Sequence, residues 1–198
     1  MASQIIILFD LGGVLIENRA FDALNELLPE PLDKDVLRDR WLHSAALRSF
    51  ESGLISADDF ARRFILEWGL SLTQEEFLTE FMAWPSGFYP GAEALLRELR
   101  HNYHVSCLSN SNALHWEKFN GFAGYFDIAL SSHLLGLIKP EHDIFIKAAQ
   151  VLAVEPEQIL FFDDSLSNIK AAEETGMQSF HVHGLADVIS VLKQQDIL

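Results

Sequence analysis

Ile5-Ile6-Ile7-Leu8-Phe9-Asp10-Leu11-Gly12-Gly13-Val14 begins as an unbroken apolar run and then stops on a carboxylate and two glycines. A strand that is continuously apolar, rather than alternating, is one covered on both faces, as in a parallel sheet. In open parallel sheets, ligands bind beyond the carboxyl ends of the strands. Asp10 stands at such an end, where a carboxylate can act as a nucleophile or a metal ligand. Gly12 and Gly13 let the backbone turn tightly and approach a ligand. Taken alone, the same residues read as an ordinary strand-end turn.

The pattern recurs along the chain. Residues 4–9, 104–108, 128–131, 159–162 and 178–182 are expected strands. Helical periodicity fills 92–100, 143–152, 167–175 and 185–193 between and after them. Strands alternating with helices predict an α/β fold, a mainly parallel sheet with helices on both faces. Residues 17–87 break this rhythm and read as helices only, over 21–28, 35–50, 56–68 and 73–83. Ser56 offers an N-cap for the third, and Thr73-Gln74-Glu75-Glu76 a capping box for the fourth. Trp84-Pro85-Ser86-Gly87 then stops the helix. The expected organisation is a core of 1–16 and 88–198 interrupted by a small all-helical domain, 17–87, with hinges near Glu17 and Gly87.

Composition narrows the function classes. With 198 residues, 49% apolar and 22% charged, the chain is globular rather than disordered or fibrous. Fourteen Lys+Arg against 29 Asp+Glu give a net charge of −15, which argues against nucleic acid and membrane surfaces as partners. The lone Cys107 fits a reducing compartment, and the apolar run at 5–9 is too short to span a bilayer, so a cytoplasmic protein is expected. Trp41, Trp68, Trp84, Trp116 and the 15 Phe are read as packing, with Trp41 and Phe50 the aromatics that could line a pocket.

Three further constellations follow the later strands. Leu108-Ser109-Asn110-Ser111-Asn112 offers hydroxyl, amide and backbone N–H groups to phosphate oxygens, or an N-cap for a helix from Ala113. Gly136-Leu137-Ile138-Lys139-Pro140-Glu141 brings a lysine to the start of a helix. Phe161-Phe162-Asp163-Asp164-Ser165 ends a strand on paired aspartates, which repel unless a cation lies between them. Hard oxygen ligands of this kind suit Mg²⁺. Counting charges, Asp10, Asp163 and Asp164 are balanced by Mg²⁺ and Lys139 together, before any phosphate arrives.

This order of motifs resembles the haloacid dehalogenase superfamily of aspartate-nucleophile hydrolases. Residues 9–14 are similar to its first motif, Ser109-Asn110 to its second, Lys139-Pro140 to its third and Asp163-Asp164-Ser165 to its fourth. The helical insertion resembles the family's type-1 cap. Ser109–His115 and Gly136–Glu141 are most similar to the bacterial sugar-phosphatase group typified by alpha-D-glucose-1-phosphate phosphatase. The resemblance implies a Rossmann-like core and a Mg²⁺-dependent phosphatase acting on a small phosphorylated metabolite, a sugar phosphate among the candidates. It implies that Asp10 attacks phosphorus, that Asp10, the Gly12 carbonyl, Asp164 and Asp163 hold Mg²⁺, and that Ser109, the Asn110 backbone and Lys139 serve the phosphate. Lys139 would also orient Asp10.

The chain departs from the family at one place. Phosphatases of this superfamily usually carry an acid–base aspartate two positions after the nucleophile, and here that position is Gly12. General acid–base catalysis contributes ~10²–10⁴ in rate, so the gap matters. Glu17, His43 and His115 are the candidate substitutes. Two other functions stay open on the same residues: a 2-haloacid dehalogenase-type hydrolase, and a non-catalytic regulator that binds a phosphorylated ligand. The oligomeric state is not legible.

Overall fold

The structure, a computed structural model, describes residues 5–198; Gln4, the first residue of the expected opening strand, lies outside the described residues. In chain order the elements are β1 (Ile6–Phe9), β2 (Ile16–Asn18), α1 (Ala20–Leu27), α2 (Lys34–Leu42), α3 (Ala45–Glu51), α4 (Ala57–Trp68), α5 (Gln74–Ala83), β3 (Pro85–Phe88), α6 (Ala92–Leu99), β4 (His104–Ser109), α7 (Ala113–Lys118), β5 (Ile128–Ser131), α8 (Ser132–Leu135), α9 (His142–Leu152), β6 (Ile159–Asp163), α10 (Leu166–Glu174), β7 (Gln178–His181) and α11 (Gly184–Gln194). Five strands form one parallel sheet in the order β5-β4-β1-β6-β7. The chain lays down β4 and β5 on one side of β1 and β6 and β7 on the other. β1 is therefore central, and the expected α/β class is observed.

Alternation along β1 divides the core between the two faces of the sheet. Ile7 and Phe9 join Val105, Phe162 and the buried sides of α6 and α11. Ile6 and Leu8 join Leu108, Phe161 and the buried sides of α9 and α10. Apolar clusters cover both faces, which explains why the inner strands β1, β4 and β6 read as near-continuous apolar runs.

Residues between β1 and β4 build a helical unit with its own core, in which Phe60, Phe64, Phe77, Trp68 and Trp84 are fully buried or nearly so. Phe50 stacks on Phe60 at 4.4 Å, and Trp41 packs edge-on to Phe21 at 5.4 Å. The aromatics here are packing, as expected. Two local readings change. Residues 35–50 are two helices rather than one, because the Ser44 side chain accepts the Leu47 N–H and starts α3 afresh. The insertion is also not helical throughout. Its two connections pair as an antiparallel ribbon, β2 with β3, in which Glu17 faces Gly87. Two chain segments leaving the core side by side satisfy each other's backbone groups in this way. The Thr73–Glu76 capping box and the Ser56 cap form as expected. Among the described residues, no helix is long and apolar enough to cross a membrane.

Candidate active site

The carboxyl ends of β1, β4 and β6 converge on one buried lysine. Asp10 follows β1, with its N–H donating to the Phe162 carbonyl at 2.8 Å. Lys139, only 2% exposed, reaches back beneath the strand ends from the start of α9. Its Nζ lies 3.0 Å from the Leu108 carbonyl, 2.9 Å from Asp10 Oδ1 and 2.6 Å from Asp163 Oδ2. An ammonium has three hydrogens, and each has an acceptor. Burial pulls the Lys139 pKa down, but the adjacent Asp10 and Asp163 outweigh it and raise it, so the lysine stays charged. Asn110 fixes the lysine's backbone by accepting the Lys139 N–H at 2.9 Å and donating to its carbonyl at 3.0 Å.

One carboxylate oxygen from each of Asp10, Asp163 and Asp164 lies within 4.8 Å of the others. The three are not equivalent. Asp163 is fully buried and used by the protein: its oxygens accept the Ser165 N–H at 2.8 Å, the Asn168 amide at 2.9 and 3.1 Å, and Lys139. Among the described residues, no donor other than Lys139 reaches the Asp10 carboxylate, and no other residue donates to the Asp164 side chain. Three carboxylates and one ammonium leave two negative charges, the complement of one divalent cation. The imbalance shows in the acidities. Burial, reinforced by Asp163 and Asp164 and opposed by Lys139, pushes Asp10 up to about 7. Burial and Asp163 push Asp164 up to about 6. An all-oxygen donor set with that charge deficit fits a hard cation such as Mg²⁺. Asp10 and Asp164 are the carboxylates left open to such an ion, and Asp163 is tied to Asp10 through the Lys139 they share.

The two glycines have separate reasons. Gly13 has φ +74°, and a Cβ there would lie 2.5 Å from Asp164 Oδ2. Gly12 has no such φ, but a Cβ there would meet Asn18 Nδ2 at 3.2 Å. Asn18 is itself held in place, because its Oδ1 accepts the Ala20 N–H and starts α1. The volume into which a residue-12 side chain would grow is thus filled from β2.

The remaining expected residues fall out as follows. Ser109 is buried at the end of β4, with its hydroxyl making only a 3.4 Å contact with the Asn110 carbonyl, so it is uncommitted. His115 bridges the two units instead of serving the site. Its Nε2 lies 2.8 Å from the Phe81 carbonyl and its Nδ1 3.2 Å from the Asn112 amide, which assigns a neutral ring with the proton on Nε2. Burial lowers its pKa to about 4, so it is not a proton donor near neutrality. His43 is exposed at the end of α2 beside Asp39. Glu17 is exposed on the ribbon. The sequence reading missed Asn168, whose only signal is an amide in the first turns after Asp163. It also missed two groups on the helical unit whose charge is felt at the site: Arg38 of α2 at Asp164, and Glu51 of α3, which senses Asp10 and Lys139.

Known proteins resemble this chain over most of its length. Residues 6–176 match the model of the haloacid dehalogenase-like hydrolases. The chain is 32% identical over 197 residues to a D-ribitol-5-phosphate phosphatase of Bacteroides thetaiotaomicron, covering 91% of this chain and 93% of that one. It is 29% identical to a probable pseudouridine-5'-phosphatase of Drosophila melanogaster, covering 86% and 78% respectively. Among solved structures, a haloacid dehalogenase family enzyme of B. thetaiotaomicron in complex with magnesium and inorganic phosphate superposes with a TM-score of 0.72 at 24% identity, covering 90% of this chain and 94% of that one. A predicted haloacid dehalogenase-like family hydrolase of Porphyromonas gingivalis superposes with a TM-score of 0.76 at 24% identity over 98% of both chains.

Proposed function

The chain belongs to the haloacid dehalogenase-like hydrolases, and from that premise we propose that it is a Mg²⁺-dependent phosphatase whose nucleophile is Asp10. The observation that carries the reading is the cluster of Asp10, Asp163 and Asp164 around a charge deficit of two. A dehalogenase needs no cation, and a buried set of carboxylates without one would remain an uncompensated cost. The relatives named above act on phosphate monoesters, a pentitol phosphate and a nucleoside phosphate. Neither is named for glucose 1-phosphate. The substrate class proposed is therefore a phosphate monoester of a small polyhydroxy metabolite, with the helical unit of 17–87 acting as its cap.

Bound Mg²⁺, held by Asp10, Asp164 and the Gly12 carbonyl, would supply charge neutralisation between the nucleophile and the incoming phosphate. The chain's own groups do the rest. Lys139 holds Asp10 Oδ1, orienting that carboxylate and favouring its ionised form against the pull of burial. Asp10 forms an acyl phosphate that water then hydrolyses. The Ser109 hydroxyl and the backbone N–H groups beyond β4 hold the phosphate oxygens. Arg38 adds positive charge from the cap side. The test is phosphate release from a panel of phosphate monoesters and halide release from 2-haloacids, with Mg²⁺ and with chelator. Phosphate release lost with chelator and with Asp10→Asn supports the reading. Metal-independent halide release, or ligand-induced thermal stabilisation with no turnover, overturns it.

A further inference from the structure

Gly12 leaves the proposed reaction without its usual proton donor, and Asn18 fills the space that donor would occupy. The geometry of the hydrolysis says where a replacement must lie. In phosphoryl transfer the attacking and leaving oxygens are roughly in line through phosphorus. With Asp10 attacking from the sheet, the leaving oxygen departs toward the helical unit. A replacement acid must therefore hang from that unit, facing Asp10.

Glu51 is the last residue of α3, and its helix end is pinned to the core from both sides. One turn earlier, Arg48 pairs with Glu141, two residues beyond Lys139, at 2.5 Å. Two residues later, Gly53 lies against the core so closely that a Cβ there would come 2.6 Å from the His133 carbonyl oxygen. Glu51 between them is partly buried, and among the described residues its carboxyl has no hydrogen bond or ion pair. The charges it senses are Asp10 and Lys139 from the core and Arg48 from its own helix.

We propose that Glu51 is the cap-borne general acid and base of this chain, taking the place of the residue-12 aspartate. The proposal rests on the phosphatase reading above. In the first step the Asp10–phosphorus bond forms, the bond from phosphorus to the leaving oxygen breaks, and the Glu51 proton passes to that oxygen, releasing an alcohol. In the second step, water attacks phosphorus from the side the alcohol vacated. Its proton passes to the Glu51 carboxylate, the bond to Asp10 breaks, and inorganic phosphate leaves. Both steps balance and regenerate Asp10 ionised and Glu51 protonated. Burial, with the negative charge of Asp10 adding to it, raises Glu51 to about 8, so it carries a proton near neutrality as the first step requires.

The experiment compares two substrates at saturating Mg²⁺: 4-nitrophenyl phosphate, whose leaving group needs no proton, and a pentitol 5-phosphate, whose alkoxide does. Glu51→Gln is expected to lower kcat/KM, which reports the first step, by about 10²–10³-fold on the alkyl phosphate while leaving it within a few-fold of wild type on the aryl phosphate, and to lower kcat on both, because the second step is common to them. A retained burst of 4-nitrophenolate ahead of that slowed turnover is then the variant's own folding control. Glu51→Asp is expected to recover part of both losses. An equal loss of kcat/KM on both substrates, or no loss on either, overturns the proton-transfer role. Wild-type protein that releases phosphate from neither substrate overturns the phosphatase reading itself and this inference with it.

Discussion

A side chain at position 12 would run into Asn18, and a side chain at position 13 would run into Asp164. The two glycines therefore differ in what they permit. At Gly13 both the positive φ and the 2.5 Å approach exclude any other residue. Gly13→Ala is expected to cost about 1–3 kcal/mol in urea unfolding and to abolish Mg²⁺-dependent turnover, because the Asp164 carboxylate must move. Unchanged turnover would show that Asp164 is not a ligand. At this scale the sequence was informative where chemistry coincides with strand ends. Asp10, Ser109, Lys139 and the Asp163–Asp164 pair each follow an apolar run or open a helix. It was silent on Asn18, Asn168 and Glu51. Asn168 meets the Asp163 carboxylate, Asn18 abuts residue 12, and the place of Glu51 follows from how α3 packs on the core, and nothing in local periodicity records any of these.

At the scale of elements, the helical unit is a separate aromatic core held to the sheet by few contacts. Phe60 is fully buried and lies within 4.4–5.6 Å, centroid to centroid, of Phe50, Phe64, Phe77 and Phe81. Phe60→Ala is expected to lower stability by about 3–5 kcal/mol, read from the denaturant midpoint. A change below about 1 kcal/mol would contradict the packing described. The unit is latched to the core by Arg48 on Glu141, by His115 on the Phe81 carbonyl, and by Lys118 on the Met82 and Pro85 carbonyls at 2.8 Å. The Arg48 pair is half-exposed and contributes little stability, so its consequence is positional. Among the described residues the five sheet strands were legible to within a residue: β1, β4 and β6 are buried on both faces and read as apolar runs, while the half-exposed edge strand β7 shows the apolar pattern least. The break between α2 and α3 was not, because Leu37, Trp41 and Leu47 keep an apolar stripe running through it while the Ser44 cap interrupts the backbone. The ribbon of β2 and β3 was missed for a different reason. Short polar strands that pair only with each other carry no alternation to read.

At the scale of the whole molecule, the fold gathers negative charge at one point and leaves it short of compensation. Asp10 and Asp164 have folded pKa values of about 7 and about 6, above their ordinary unfolded values near ~4. A carboxyl raised in this way contributes its stability fully below the unfolded pKa and loses it as pH rises through the folded value. Metal-free protein is therefore expected to lose stability between about pH 4 and 7. Mg²⁺ must displace those protons to bind. At a fixed Mg²⁺ concentration, the rise in Tm is accordingly expected to be larger at pH 8 than at pH 5. An equal rise at both values would place the ion elsewhere.

The most direct measurement is a calorimetric titration of Mg²⁺ into wild-type protein and into Asp164→Asn. Asp164 is chosen because it offers its carboxylate with no side-chain donor from another residue, so its loss should remove a ligand while sparing the Lys139 network. One ion per chain in the wild type, with binding weakened beyond detection in the variant, is the expected result. No binding to the wild type, or unaltered binding to Asp164→Asn, would contradict the claim that these strand ends form a divalent-cation site.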